Sequence, residues 1–344
     1  PNAGNPLILE CFMSDIESPL ANHPLPQPRC ASISDRVMVR IAGPGTDKFL
    51  QGQFSQQIDD VTQGHSPRAA ACTPKGRAYC LTRLVRDGDD ILMELPANLS
   101  DGTVTHLRKY LMLFRGTSME VESDARIVGL LGDAAVEKLL PENTSALAVA
   151  GDSVKISGGH LIRTMDTAEG MARYELWQTG DLDTSLQQAL EEIPAAPLAD
   201  WQASEIAAGV ASLTAATTES FVPQMLNWQH VGGIHFKKGC YTGQEVIARM
   251  HFLGQLKKSL FRYTCSDAGT LPAPGESLLD GDRSVGNVVN SVGFSDGHSE
   301  ILAVVRHDAA EKSLVPESAS DAVLSLRPLP YSVPEREKTD TPDT

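Results

Sequence analysis

Between Ser66 and Phe114 the chain alternates apolar runs with turns too short to hold a crossover helix, and no other feature restricts its fold class more. Cys72-Thr73-Pro74-Lys75-Gly76-Arg77 places Pro and Gly where a bend between strands needs them. Ala78 to Val85 alternates loosely, Arg86-Asp87-Gly88-Asp89 forms a second turn, and Ile91 to Leu95 reads as another strand. Helical spacing follows through Val104, Leu107, Leu111 and Phe114. A meander followed by a helix is an α+β pattern rather than strictly alternating βαβ.

The same grammar runs through the rest of the chain. Val37 to Ile41 is strand-like and ends at Gly43-Pro44-Gly45, after which Thr46 or Asp47 can cap a short helix carrying Phe49 and Leu50. Ile127 to Leu131 and Arg173 to Trp177 read as strands, and Asp133 to Leu140 and Leu182 to Ile193 as helices. Beyond residue 260, glycines recur every few residues between short apolar runs such as Val285 to Val292 and Ile301 to Val305, the pattern of a small β-barrel or sandwich. Pro19, Pro24, Pro26 and Pro28 suggest an extended N-terminal arm over residues 1–30, and the charged stretch from about Tyr331 reads as a disordered tail.

Composition narrows the function classes. The net charge of -15 opposes bulk binding of nucleic acid, so any RNA contact would need a local basic patch. The six cysteines include no Cys-x-x-Cys pair, which argues against a self-contained zinc or cluster cage and for free thiols in a reducing, cytoplasmic setting. No apolar window is long enough to span a membrane, and Pro1 to Met13 lacks the basic and apolar regions of a secretion signal. Nothing points to an obligate partner strand, so a monomer is expected.

The chemistry concentrates in His235-Phe236-Lys237-Lys238-Gly239-Cys240-Tyr241-Thr242-Gly243-Gln244-Glu245-Val246-Ile247-Ala248-Arg249. Thr242-x-x-Glu245 is spaced as a capping box before an apolar run, which predicts a helix starting near Gly243 with Val246, Ile247 and Met250 turned inward. Cys240 then precedes a helix N-terminus and follows Lys237 and Lys238, surroundings that favour a thiolate. A lone cysteine is more often a buried small hydrophobe, a lysine pair a solvated face, and Trp201 and Trp228 core residues. His230 and His235, five apart, are poorly spaced to share a metal on a helix, and no metal site is expected. Between His230 and Arg262 six basic residues face the single acid Glu245, and the stretch from Ser66 to Arg86 contains Arg68, Lys75, Arg77, Arg83 and Arg86 with no acid at all. If the two stretches meet, they make a basic pocket suited to a flat anionic ligand with a carboxylate tail.

Lys238-Gly239-Cys240-Tyr241-Thr242-Gly243-Gln244-Glu245 resembles the K-G-C-Y-x-G-Q-E signature of the YgfZ family at every fixed position. Phe221-Val222-Pro223-Gln224-Met225-Leu226-Asn227, Gly232-Gly233-Ile234, Gly43-Pro44-Gly45 with Phe49-Leu50-Gln51-Gly52-Gln53, and Thr73-Pro74-Lys75-Gly76-Arg77 are similar to that family too. The resemblance covers roughly residues 33 to 330. It implies the three-domain ring of the glycine-cleavage T-protein: two α+β, ferredoxin-like units and a C-terminal β-barrel. The expected units are residues 31–122, completed by 201–255, then 123–200, then 256–330, with tails at 1–30 and 331–344.

The resemblance also implies a folate-binding accessory protein, with tetrahydrofolate or a derivative as cofactor. Its partners would be iron–sulfur client proteins, including radical enzymes that thiomethylate tRNA, so that tRNA is met only indirectly. The functional set implied is Cys240 with Lys238, Tyr241, Gln244 and Glu245, and for folate Glu175, Asn227, Trp228, Arg249, Lys75 and Arg77. Glu175 in Arg173-Tyr174-Glu175-Leu176 is similar to the acid that meets the pterin in T-protein. The chain departs from T-protein at Glu205-Ile206-Ala207-Ala208-Gly209, where T-protein carries an arginine, and only Asp59 and Asp60 offer a catalytic acid in a family-like stretch. The competing reading is a T-protein-type aminomethyl or one-carbon transferase, and the motif cysteine, which T-protein lacks, favours the accessory factor without turnover of its own.

Overall fold

The computed structural model describes residues 18–141, 144–267 and 269–334. Three antiparallel sheets organise them. The predicted meander is the centre of the first sheet. β3 (Arg68–Cys72), β4 (Ala78–Asp87) and β5 (Asp90–Pro96) pair in succession, and β2 (Arg36–Ala42) and β6 (Ser118–Val121) complete the order β3-β4-β5-β2-β6. The loose alternation of β4 has a structural reason: eight of its ten residues, Ala78 through Val85, are buried, so both faces of this strand meet protein. α1 (Thr46–Gln53) and α2 (Ala97–Leu111) cover one face, burying Phe49, Leu50, Val104, Leu107 and Leu111 against Val39, Ile41 and Met93. The predicted side-chain cap of α1 is not made. Gly45 occupies the N-cap position, and the Thr46 hydroxyl donates to the Gly43 carbonyl at 2.9 Å instead.

The second sheet has the order β1-β7-β10-β9-β8. It combines β1 (Arg29–Ser32), β7 (Arg126–Leu131), β8 (Ser153–Ile156), β9 (Gly159–Arg163) and β10 (Arg173–Gln178), with α3 (Asp133–Leu139) and α4 (Thr184–Glu191) packed on it. Its edge strand β1 takes up the last two residues of the extended arm expected over residues 1–30. Farther upstream, the Ala21 amide donates to the Gly293 carbonyl at 2.9 Å, and Asn22 donates to both carboxylate oxygens of Asp200. The arm residues 1–17 lie outside the described residues. The first two sheets share a seam that includes Met38, Val85, Leu92, Ile127, Leu131, Trp177 and Trp201. Both tryptophans are fully buried there, each worth about 3 kcal/mol or more on truncation.

The third sheet has the order β15-β12-β13-β14-β11-β16. Its strands are β11 (Lys258–Cys265), β12 (Ser277–Asp280), β13 (Arg283–Gly293), β14 (Ser299–Arg306), β15 (Val315–Pro316) and β16 (Leu324–Arg327). It curls until its two edges meet at one bridge, where the Leu324 amide donates to the Leu314 carbonyl at 2.8 Å. Tyr263, Leu278, Val288, Ile301, Ala303 and Val305 fill the inside. α5 (Leu198–Ala207) and the segment leading to α6 (Gln244–Leu253) join the sheets through a core containing Ala203, Ile206, Leu226, Trp228, Ile247, Leu260, Leu302 and Val304. The tail expected from Tyr331 onward also needs correction. The Tyr331 hydroxyl donates to the Gly209 carbonyl at 2.6 Å and its ring stacks on His230, while residues 335–344 lie outside the described residues.

No helix among the described residues is long and apolar enough to cross a membrane.

Candidate functional site

The motif does not form the expected capping box. Gly243 is the N-cap residue of α6, in the left-handed region at φ +86°, and no side chain caps the helix. A Cβ there would lie 2.7 Å from the Thr73 carbonyl oxygen, so the close approach to the β3–β4 turn requires glycine. Of the three residues expected to face inward, only Ile247 is buried; Val246 and Met250 are half-buried.

What fixes the loop is backbone, and the lysine is its main anchor. Lys238 is buried, and its Nζ donates to the carbonyls of Gln51 at 2.7 Å and Phe54 at 2.5 Å while standing 4.7 Å from the centre of the Tyr241 ring. These carbonyls end α1, where a helix has unsatisfied acceptors and negative partial charge. Burial pulls the Lys238 ammonium down to about 7. The expected role for Lys238, a charge beside the thiol, is therefore corrected: its donors go to the end of α1. Around it, the His235 amide donates to the Ser55 carbonyl at 2.9 Å and the Thr242 amide to the Gly52 carbonyl at 3.1 Å. The Gln244 side chain donates to the Lys238 carbonyl at 3.2 Å, closing the loop on itself. Tyr241 is buried beneath, with its hydroxyl pushed up by desolvation and by the neighbouring Cys72.

Cys240 is left at the surface of this loop. Cys30, Cys72, Cys80 and Cys265 are all buried, and Cys240 alone of the described cysteines is exposed. Glu245 and Arg249 lie on the exposed side of α6, and Lys75 is exposed on the β3–β4 turn. Arg77 donates to the Ser220 carbonyl at 2.5 Å.

The two basic stretches do meet. A Cβ at Gly76 would stand 2.8 Å from Val246 Cβ, the Gln56 amide bridges the Arg68 and Gly232 carbonyls at 2.9 and 2.8 Å, and the Arg68 guanidinium lies 5.6 Å over the Trp228 ring. Behind them is a buried ion cluster. Arg83 Nε lies 3.1 Å from Glu175 Oε2, which also accepts from Trp177 Nε1 at 3.0 Å. Arg68 stands 3.6 Å from Glu175 Oε1 and 3.8 Å from Glu94, and Arg36 joins Glu94 and Glu205, both at 2.7 Å. Burial opposes the Glu175 charge, yet Arg83, Arg68 and Arg36 hold its carboxyl at about 2. Glu175 Oε1 has no hydrogen-bond donor of its own. A small cleft of about 50 Å³ opens on this cluster, lined by His65, Arg68, Arg83, Gly151, Met165 and Gly232 among others. Cys240 does not line it.

The expected site residues thus fall into separate groups. Lys238, Tyr241 and Gln244 hold the loop that presents Cys240. Glu175 sits in the ion cluster. Trp228 is buried beside it under Arg68, with its Nε1 unpaired. Asn227 donates to the Leu260 carbonyl at 2.9 Å and so ties this segment to the third sheet. Asp59 and Asp60 are exposed. Sequence reasoning missed the partners Glu94, Glu205 and Arg36, which lie far apart in the chain; the only local signal was the acid-free run around Arg68 and Arg83, whose charges demand partners once buried.

No family model matches the chain. The fold is similar to that of the glycine cleavage system aminomethyltransferase T from Bartonella henselae, with a TM-score of 0.71 over 96% of this chain and 98% of that one at 16% identity. In sequence the chain is 30% identical over 319 residues to the tRNA-modifying protein YgfZ of Escherichia coli strain SMS-3-5, a match covering 88% of this chain and 93% of the relative. The tRNA-modifying protein YgfZ of Shigella boydii serotype 4 matches with the same identity and coverage. The chain belongs to the YgfZ family.

Proposed function

We propose that this chain is a folate-binding accessory factor of tRNA modification, acting in the cytoplasm, with the Cys240 thiol as its working group. Its clients on this reading are iron–sulfur enzymes, including the radical enzymes that thiomethylate tRNA, whose clusters it helps assemble or repair; tRNA itself is met through them. The observation that carries the reading is the fate of the motif. Lys238, Tyr241 and Gln244 shape and anchor a loop, and the thiol that this loop presents is accessible. That the relatives are tRNA-modifying proteins supports the pathway, and the T-protein likeness supports the ligand class. We read the three sheets as the units 31–122 with 201–255, 123–200 and 256–330.

The donor chemistry near Arg68, Arg83 and Glu175 fits a folate. Glu175 Oε1 is a buried acceptor without a donor, suited to the N–H edge of a pterin, and the guanidiniums and Trp228 offer charge and a flat face. The cleft of about 50 Å³ between Met165, Gly232 and the two guanidiniums is the entry we assign to the pterin. Bound folate would supply a reduced pterin; the chain's own residues bind and orient it and exclude water.

Two measurements test the reading together. Tetrahydrofolate at millimolar concentration should raise the melting temperature through linkage, and Cys240→Ala should fold as the parent does yet fail to restore tRNA thiomethylation in a deletion strain. Full complementation by Cys240→Ala would make the thiol dispensable, absence of any thermal shift would remove the folate, and turnover in an aminomethyl-transfer assay would favour the transferase reading instead.

A further inference from the structure

Far from the motif in sequence, two segments bring three metal-ligating side chains together. His23 belongs to the N-terminal arm, and Asp296 and His298 to the turn between β13 and β14. His23 Nδ1 lies 2.8 Å from Asp296 Oδ2, and His298 Nδ1 lies 2.5 Å from Asp296 Oδ1. One ligand atom from each of the three residues falls within 4.8 Å of the other two. The carboxylate stands between the two imidazoles with one oxygen toward each.

The segments that carry these residues are fixed by backbone. The Ala21 amide donates to the Gly293 carbonyl at 2.9 Å and the Ser295 amide to the Ala21 carbonyl at 2.8 Å, while Asn22 is tied to Asp200. Within the turn, the Phe294 amide donates to the His298 carbonyl at 2.8 Å and the Gly297 amide to the Phe294 carbonyl at 3.0 Å. The Phe294 ring stacks on His298 at 4.2 Å and 9° and meets His23 edge-on at 5.7 Å, so both imidazoles are oriented by one aromatic side chain. His298 is largely covered, whereas His23 and Asp296 keep about half of their side-chain surface in solvent. This leaves ligand positions open on the outer side.

We propose that His23, Asp296 and His298 form a binding site for a first-row divalent cation of the Zn²⁺ class, which fastens the N-terminal arm to the β13–β14 turn. Two imidazole nitrogens and one carboxylate oxygen suit borderline metals over Mg²⁺ or Ca²⁺, which prefer all-oxygen shells. Three protein ligands with water completing the shell is the arrangement of an open site rather than a closed structural cage. The ion takes the place of the protons now shared between Asp296 and the imidazoles: each histidine binds it as the neutral ring, and any proton held between the groups goes to solvent.

The test is titration of the purified full chain with Zn²⁺ by calorimetry, paired with absorption spectra of the Co²⁺ form. The expected result is one equivalent of tight binding, d–d bands of a nitrogen and oxygen shell with no thiolate charge-transfer band, and slower proteolytic cleavage within the arm when metal is present. His298→Ala, His23→Ala and Asp296→Asn should each weaken binding by at least about tenfold, the lower bound seen when a metal site loses even an outer partner. His23→Ala guards against misfolding as the cause, since the backbone bonds at Ala21 and Ser295 still dock the arm and its circular dichroism without metal should match the parent. Binding that survives all three substitutions, a thiolate band that assigns the metal to Cys240, or no saturable Zn²⁺ uptake would each overturn the proposal.

Discussion

Lys238 Nζ lies 2.7 Å from the carbonyl oxygen of Gln51, and this contact joins the motif loop to the end of a helix nearly two hundred residues earlier in the chain. It makes the lysine an anchor for the loop. Lys238→Met should lower stability by about 1–3 kcal/mol, because two carbonyls at the α1 terminus lose a buried donor. Cys240→Ala should shift it by no more than about 0.5 kcal/mol, as expected at an exposed position. Urea unfolding of the two variants checks the contrast; equal losses would mean that Cys240 also supports the fold.

Cysteine burial gives a second expectation. Native protein treated with iodoacetamide should be alkylated at Cys240, while Cys30, Cys72, Cys80 and Cys265 stay protected until denaturant is added. Burial pushes the Cys30 thiol up to about 11 and those of Cys72 and Cys80 higher still. Site-resolved mass spectrometry reads the order directly, with Cys11 followed separately. Early labelling of Cys72 would show that the motif loop opens.

Gly76 touches Val246, and the contact can be measured as a coupling. Gly76→Ala should cost about 1–3 kcal/mol, partly from its φ of +72° and partly from a Cβ 2.8 Å from Val246 Cβ. Val246→Ala removes the Cγ1 contact at 2.9 Å but keeps the Cβ, so it should recover only part of the steric share and leave the conformational share. A double-mutant cycle with a coupling of about 0.5 kcal/mol or more is the expected outcome.

Removing the carboxylate at the centre of the ion cluster should be severe. Glu175→Gln leaves Arg83 and Arg68 buried beside a neutral amide, at a cost of about 3–5 kcal/mol. Thermal denaturation reads the loss, and a variant that still folds should have lost the tetrahydrofolate shift as well. An unchanged melting temperature would show that the guanidiniums find other partners.

Asp87, which lies 3.0 Å from Arg40, 3.1 Å from Lys155 and 3.2 Å from His160, should shape the acid limb of the stability curve. Burial raises the Asp87 carboxyl, but hydrogen bonds from Lys155, Arg40 and His160 overcome it and hold the group at about 2, below its ordinary 3.8. Burial lowers His160 despite Asp87. Both groups bind protons more readily when unfolded, so stability falls with acid: first below about 6.5 as the unfolded state takes up the His160 proton, then from 3.8 toward 2 through Asp87. Asp87→Asn should flatten the lower limb, as urea midpoints at a series of pH values would show; an unchanged profile would assign the acid limb elsewhere.

Much of this was legible in the sequence because it is local. The hairpins at Thr73–Arg77 and Arg86–Asp89, the helix after residue 243 and the glycine-punctuated third sheet are written in turns and spacing, and the motif stands in one unbroken run. What stayed hidden depends on residues meeting across the fold. Thr242 and Glu245 have capping-box spacing, yet the contact of Gly243 with Thr73 sets the helix start instead. Lys238 looked like surface charge because its acceptors, the carbonyls of Gln51 and Phe54, carry no side-chain signature. Proline-rich residues up to Pro28 read as an extended arm, and nothing local in them signals the backbone bonds at Ala21 and β1 that dock it.

Tyr331 reaches back past the last strand to the Gly209 carbonyl and stacks on His230, a few residues upstream of the motif. Tyr331 is thereby a latch on the connection between α5 and the thiol-bearing loop. Loss of the Tyr331 side chain would therefore loosen the segment between Gly209 and His230 that leads into the motif loop.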